Sequence, residues 1–196
     1  MKTKFARDGR GRHAIFTLAL MLLGAIVCNA APITYTVNRT VGTGTVTGFI
    51  ETDGTLGVLN PANIVDWSLA LVVGIDNYTL TGPFSGNNSS VYGSGMDTTA
   101  TSTQLLFNFS GTDNGYFLFQ YGVGIHNGYH YYCDATFSGI CLQGETDAPA
   151  YYTAGQNVGR SGNVVIGTAI PEPGTAFLMG SGLLGAIGTL RRKLAK

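Results

Sequence analysis

Leu105-Leu106-Phe107-Asn108-Phe109-Ser110-Gly111-Thr112-Asp113-Asn114-Gly115-Tyr116-Phe117-Leu118-Phe119-Gln120-Tyr121 is the stretch that decides the fold class. Leu105, Phe107 and Phe109 recur at period two, which places them on one face of a strand. Gly111 to Gly115 is dense in turn-forming residues. Tyr116 to Tyr121 is then almost wholly apolar or aromatic, as a strand covered on both faces must be. The segment predicts a hairpin.

The same pattern extends outward in both directions. Ile33 to Val37 alternates threonine with apolar residues, and Gly42 to Ile50 continues with Thr43, Thr45 and Thr47 at period two. Asp53-Gly54 marks a turn before Leu56 to Leu59, and Pro61-Ala62-Asn63 makes a corner. In the apolar run Ile64 to Val73, Trp67, Leu69 and Leu71 fall on one face and Asp66, Ser68 and Ala70 on the other. Tyr78 to Thr81 reads as a short strand and Gly82 to Ser90 as a loop. Asn127-Gly128 predicts a two-residue hairpin turn, with Gly124 opposite Tyr131 and Gly122 opposite Cys133. Asn163 to Thr168 reads as the last strand. Long amphipathic helices are absent from the pattern. The expected fold is all-β: a single sandwich or jelly-roll-like domain over residues 31–168, of about eight to ten strands.

The ends read as address labels. Lys2, Lys4, Arg7, Arg10 and Arg12 precede the apolar run Ala14 to Val27, and Cys28-Asn29-Ala30 offers a small-x-small cleavage site. This order predicts a signal peptide over residues 1–30. The run is short for a membrane anchor, and Val27 is bulky where a lipoprotein signal ending at Cys28 wants a small residue. At the other end, residues 169–196 hold Pro171-Glu172-Pro173, then an uncharged stretch over about 175–190, then Arg191-Arg192-Lys193. The prolines force any helix to begin after them. Basic residues stay cytoplasmic, so Arg191, Arg192 and Lys193 read as a membrane stop behind a transmembrane helix. Gly180, Gly182, Gly185 and Gly188 would weaken a soluble helix but suit close packing in lipid. Both labels therefore place the body outside the membrane.

Assigning the basic residues to the labels changes the charge of what remains. The chain of 196 residues balances 11 Lys+Arg against 11 Asp+Glu. Between Ala31 and Ile170 the basic residues reduce to Arg39 and Arg160. They face Glu51, Asp53, Asp66, Asp76, Asp97, Asp113, Asp134, Glu145 and Asp147, a balance of about −7 with no lysine. Such a surface repels phosphate backbones, so no nucleic-acid partner is expected. Without a lysine, the body also excludes a phosphate-loop motif. Removal of the signal leaves Cys133 and Cys141, an even pair in an exported chain, and a disulfide between them is expected.

Catalytic signals are thin. There is no Gly-x-Ser-x-Gly nucleophile elbow, and no spacing selects a carboxylate pair. The reading is of a protein that is not an enzyme and that needs no cofactor. His126 and His130 invite a metal reading beside Cys133 and Asp134. In a two-residue hairpin, however, the two imidazoles point to opposite faces, so no metal site is expected. Asp113-Asn114 suits calcium or a plain turn equally. Tyr129, Tyr131 and Tyr132 are candidate ligand contacts, because an exposed tyrosine offers a sugar ring an apolar face with a polar tip.

Pro171-Glu172-Pro173, the apolar stretch and the terminal Arg191-Arg192-Lys193 together resemble the PEP-CTERM sorting signal of Gram-negative bacteria, with Ile170 where valine is frequent. The resemblance covers only the tail. It implies export by the secretion machinery, a membrane-bound intermediate in the inner membrane, and processing near the motif by exosortase, a membrane cysteine protease–transpeptidase. The implied destination is the cell surface or the extracellular space. Proteins with this tail are typically linked to exopolysaccharide or biofilm matrix, which implies a structural or adhesive role. The alternative is a carbohydrate-binding module using the tyrosines, and a hydrolase is a more distant third.

Overall fold

The computed structural model describes residues 30–95, 97–122, 130–149 and 155–170. Met1–Ala30 separates from Ala31–Lys196 as a unit of its own. The signal peptide, Tyr129 with the Asn127-Gly128 turn, and the tail from Pro171 onward lie outside the described residues. Among the described residues no helix is long and apolar enough to cross a membrane.

All the described regular structure is extended, apart from one 3-10 turn over Pro61–Asn63, where Asn60 and Asn63 cap each other. An eight-stranded antiparallel sheet contains β1 (Ile33–Val41), β2 (Gly44–Thr52), β3 (Gly57–Val58), β4 (Ile64–Val73), β5 (Asp76–Thr81), β7 (Thr98–Ala100), β8 (Gln104–Asn108) and β13 (Asn163–Ala169). Its spatial order is β3-β7-β8-β13-β1-β2-β4-β5. A five-stranded sheet contains β6 (Ser89–Ser94), β9 (Tyr116–Tyr121), β10 (Tyr131–Ala135), β11 (Gly144–Ala148) and β12 (Gln156–Val158), in the order β12-β11-β10-β9-β6. The two sheets share one core, to which the larger contributes Tyr35, Val37, Ile50, Trp67, Leu69 and Phe107 and the smaller Phe117, Phe119 and Tyr132. Trp67 meets Phe119 across the gap edge-to-face, with ring centroids 5.4 Å apart, and its indole nitrogen donates to Ser89 Oγ at 2.8 Å. The all-β sandwich is the fold that the alternating pattern predicts.

Several details follow from local chemistry. The β1–β2 turn is the two-residue Gly42-Thr43, with Gly42 at φ +62°. Thr43 therefore leaves the ladder that its spacing suggested, while Thr45 and Thr47 stay in it. One side chain takes up part of the free edge of β5. Asn88 Oδ1 accepts from the Thr81 N–H at 2.8 Å, and Asn88 Nδ2 donates to the Thr79 carbonyl at 2.8 Å. This amide occupies two of the hydrogen-bonding groups of an edge strand that would otherwise be open to a neighbour.

Two pairings differ from the sequence expectation. The predicted hairpin of Leu105–Phe109 with Tyr116–Tyr121 does not form: β8 pairs with β7 and β13 in the larger sheet, β9 pairs with β6 and β10 in the smaller, and the Gly111–Gly115 turn carries the chain from one sheet to the other. The second difference is a register. Cys133 pairs with Leu118 and Tyr131 with Gln120, in place of the expected Gly122 and Gly124. The Tyr121 N–H donates to the His130 carbonyl in the same register. The apolar run Tyr116–Tyr121 aligns its inward Phe117 and Phe119 with Asp134 and Tyr132, and burial of those rings outweighs the local preference of an Asn-Gly turn.

Cys133 and Cys141 form the expected disulfide, with Cα atoms 6.5 Å apart. It holds the segment between β10 and β11 against the outer face of the smaller sheet, where Ile140 and Cys141 pack on Leu118, Cys133 and Ala135. Replacing both cysteines by serine is expected to lower stability by about 2–3 kcal/mol, measured by urea denaturation of the oxidised protein against the variant. An equal midpoint for the two would show that the bond contributes nothing.

Candidate functional site

The largest concentration of chemistry lies between the sheets. β1 alternates in the usual way, so Tyr35, Val37, Arg39 and Val41 all face inward. Arg39 thus projects from an apolar row toward the smaller sheet. The reverse anomaly meets it there: Tyr132 and Asp134 of β10, and Glu145 and Asp147 of β11, are all fully buried. Cross-strand pairing sets Asp134 beside Glu145 and Tyr132 beside Asp147.

Glu145 is the hub. Its Oε1 accepts from Arg39 Nε at 2.7 Å and from the Tyr132 hydroxyl at 2.8 Å. Its Oε2 accepts from Arg39 Nη2 and from Arg160 Nε, each at 2.9 Å. The Arg39 contact is the two-pronged fork that guanidinium and carboxylate geometry favour. Each arginine also ties down backbone. Arg39 Nη1 donates to the Val165 carbonyl at 2.9 Å, beside the register shift in β13, and Arg160 Nη2 donates to the Thr40 carbonyl at 2.8 Å. Both basic residues of the body therefore converge on one buried glutamate.

The remaining acids adjust to that arrangement. Neither carboxylate oxygen of Asp134 makes a hydrogen bond. Burial, and then the charge of Glu145, push its carboxyl well above the usual carboxylate range, against the opposing pull of the Arg39 and Arg160 charges. Asp147 accepts from the Gln156 N–H at 3.2 Å through one oxygen. Its other oxygen is unpaired and packs against Gly44, where a Cβ would stand 2.8 Å away. Burial first, with a contribution from Glu145, raises Asp147 to about 6. Burial raises the Tyr132 hydroxyl too, so it keeps the proton it donates to Glu145. Burial works against the charge of Arg39, but Glu145 more than offsets that and holds it protonated.

Two of the sequence-selected ligand contacts are described. Tyr132 is fully buried and serves the Glu145 cluster, so it presents no face to an outside ligand. The inward register of β10 corrects that assignment. Tyr131 is half-buried on the opposite, outer face. His130 stacks on Tyr78 with ring centroids 3.7 Å apart, and its Nδ1 contacts the Pro149 carbonyl. Among the described residues no group of three or more His, Cys, Asp or Glu is placed to hold a metal. In the Gly111–Gly115 turn Asn114 adopts φ +52°, the left-handed backbone of a tight turn. The Asp97 carboxylate is wedged against the backbones of Gly111 and Gly115, with no space at either glycine for a Cβ.

The body ends where the tail begins. β13 closes at Ala169, and the Ile170 N–H donates to the Thr34 carbonyl at 2.9 Å, a last tether beside the start of β1. The next residues are Pro171-Glu172-Pro173, which cannot continue the ladder. Residues 169–193 match the PEP-CTERM protein-sorting motif. No curated protein and no solved structure matches the chain. The PEP-CTERM match implies export, processing by exosortase at the membrane, and passage to the cell surface.

The cluster makes two predictions. Glu145→Ala leaves Arg39 and Arg160 without their partner and is expected to cost about 3–5 kcal/mol in denaturant unfolding, the usual penalty for breaking a buried pair. A loss below about 1 kcal/mol would place the pair among exposed ones. Asp147 has a native pKa raised from 3.8 to about 6, so the native state holds a proton that the unfolded chain releases. Its contribution is favourable below pH 4 and is lost as pH rises through about 6. Asp147→Asn is expected to flatten that part of the stability–pH curve. An unchanged slope in the variant would assign the titration elsewhere.

Proposed function

We propose that the chain is a structural or adhesive component of the cell surface or extracellular matrix, delivered through its C-terminal signal and held in the membrane only as an intermediate. The carrying observation is the sorting motif at residues 169–193, joined without a linker to a closed β-sandwich. The sandwich suits a building block better than a catalyst, since the carboxylates it gathers into one cluster, Asp134, Glu145 and Asp147, are enclosed between the sheets. Pro171, Glu172 and Pro173 are then acted on by another enzyme, and Arg191, Arg192 and Lys193 hold the tail until that happens. Exopolysaccharide fits the role as partner.

A second reading, a carbohydrate-binding module, draws on the aromatic residues left at the surface of the smaller sheet. Tyr92, Tyr116 and Tyr131 are half-buried and pack on the same outer cluster.

Mass spectrometry of the two ends of the surface-extracted protein tests delivery. The expected mature chain begins at Ala31 and ends near Pro171–Pro173. Replacing Pro171, Glu172 and Pro173 by alanine should leave the protein in the membrane fraction with an intact C-terminus and reduce attached biofilm. An alanine variant with unchanged surface location and biofilm would defeat the structural reading.

A further inference from the structure

The five-stranded sheet keeps all of its charge on the inward side, beside the core rings Phe117, Phe119 and Tyr132. Its strands contain three charged residues, Asp134, Glu145 and Asp147, and all three are buried on the inward side. The outward residues of the same strands are uncharged. Leu118, Cys133 and Ala135 are buried there beneath Tyr92, Tyr116, Tyr131 and the disulfide-held Ile140 and Cys141. In an ordinary sandwich the outer face carries the charge and the inner face the apolar groups. Here the Arg39–Glu145–Arg160 cluster keeps the acids inside, and the outward positions of the same strands hold neutral residues.

The register fixes how the three rings are spread. Tyr92 of β6 lies beside Leu118 of β9, Tyr116 lies two residues before Leu118 on the same face, and Tyr131 of β10 lies beside Gln120. The tyrosines thus occupy three adjacent strands and three successive outward rows. Their half-burial anchors each side chain, which lowers the entropy cost of presenting its edge.

We propose that the outer face of the five-stranded sheet binds a neutral glycan, with Tyr92, Tyr116 and Tyr131 packing against the C–H faces of successive sugar rings. The assignment rests on the carbohydrate-binding reading above and gives it a location. Charge selects the ligand class: an anionic or cationic polymer finds no opposite charge on these strands, whereas a neutral sugar needs only apolar ring faces and hydroxyl partners. Ser90, half-buried on the same face, adds a neutral hydrogen-bonding group.

Affinity electrophoresis of the full-length chain in gels containing neutral hydroxyethyl cellulose or anionic alginate tests this. Retardation by the neutral polymer is expected to persist in high salt and to be absent with alginate. Tyr92→Ala and Tyr116→Ala should each weaken it about tenfold. Tyr92→Phe and Tyr116→Phe should retain it, because the ring does the stacking, and equal melting temperatures check that all variants fold. Tyr121 is 42% exposed and packs edge-on to Tyr78 away from this face, so Tyr121→Ala should leave retardation unchanged. Loss on Tyr121→Ala with none on Tyr92→Ala or Tyr116→Ala would refute the location while keeping glycan binding. No retardation by the neutral polymer, or equal retardation by alginate, would refute both. Tyrosine variants that convert an oligomer to a monomer without altering retardation would assign the face to a second copy of the chain.

Discussion

Glu145 has no exposed surface, yet its carboxylate accepts four hydrogen bonds, held from one side by Arg39 and from the other by Arg160. Burying a carboxylate is unfavourable unless its charge and its lone pairs are both satisfied. Two guanidinium groups and a phenol satisfy these. The consequence extends beyond the cluster because each partner belongs to a different part of the chain. Arg39 is in the larger sheet, Glu145 and Tyr132 are in the smaller, and Arg160 lies in the connection between them. Sliding one sheet over the other would separate charges that have no replacement, since no other basic residue occurs between Ala31 and Ile170. An apolar interface tolerates small shifts, whereas this one has a single register that pairs its charges. The cluster therefore supplies specificity of alignment, and the rings around Trp67 and Phe119 supply much of the burial energy.

Much of the larger sheet was legible in the sequence because its strands follow the rule of one apolar face. β1, β2, β4, β8 and β13 appear in the alternation of threonine, valine and leucine. β11 was not legible. Gly144-Glu145-Thr146-Asp147-Ala148 has the composition of a loop, and all five residues are buried. Period-two hydrophobicity cannot find a strand whose inward residues are acids. One signal was available: a body with only two arginines and nine acids must place some of those acids near the arginines. Composition, however, contains no information on which ones. The short strands β6, β7 and β12 were hidden for a simpler reason, being rich in serine, threonine, glycine or asparagine and joined to the sheets by long-range pairing.

The misplaced hairpin has a related cause. Asn-Gly is a strong local preference, but local preference competes with the burial of whole strands. Once Phe117 and Phe119 face Trp67, the register of β10 is set by which of its residues can sit opposite them. That places Tyr132 inward and Tyr131 outward, so two tyrosines adjacent in sequence take unrelated roles. A row of tyrosines read from sequence is thus divided by strand parity before exposure is considered.

The same parity links the interior to the surface. The acids needed by Arg39 and Arg160 occupy the inward positions of β10 and β11, which leaves Tyr131, Cys133 and Ala135 facing out. An apolar outer face would invite aggregation, and the chain covers part of it with the Cys133–Cys141 segment. That disulfide is stable only in an oxidising compartment, which is where the PEP-CTERM match sends the chain. Export and the cover over the smaller sheet are therefore coupled requirements. A reducing environment would remove the covalent hold on the segment that shields Leu118, Cys133 and Ala135. The fold is matched to its destination through its outer face.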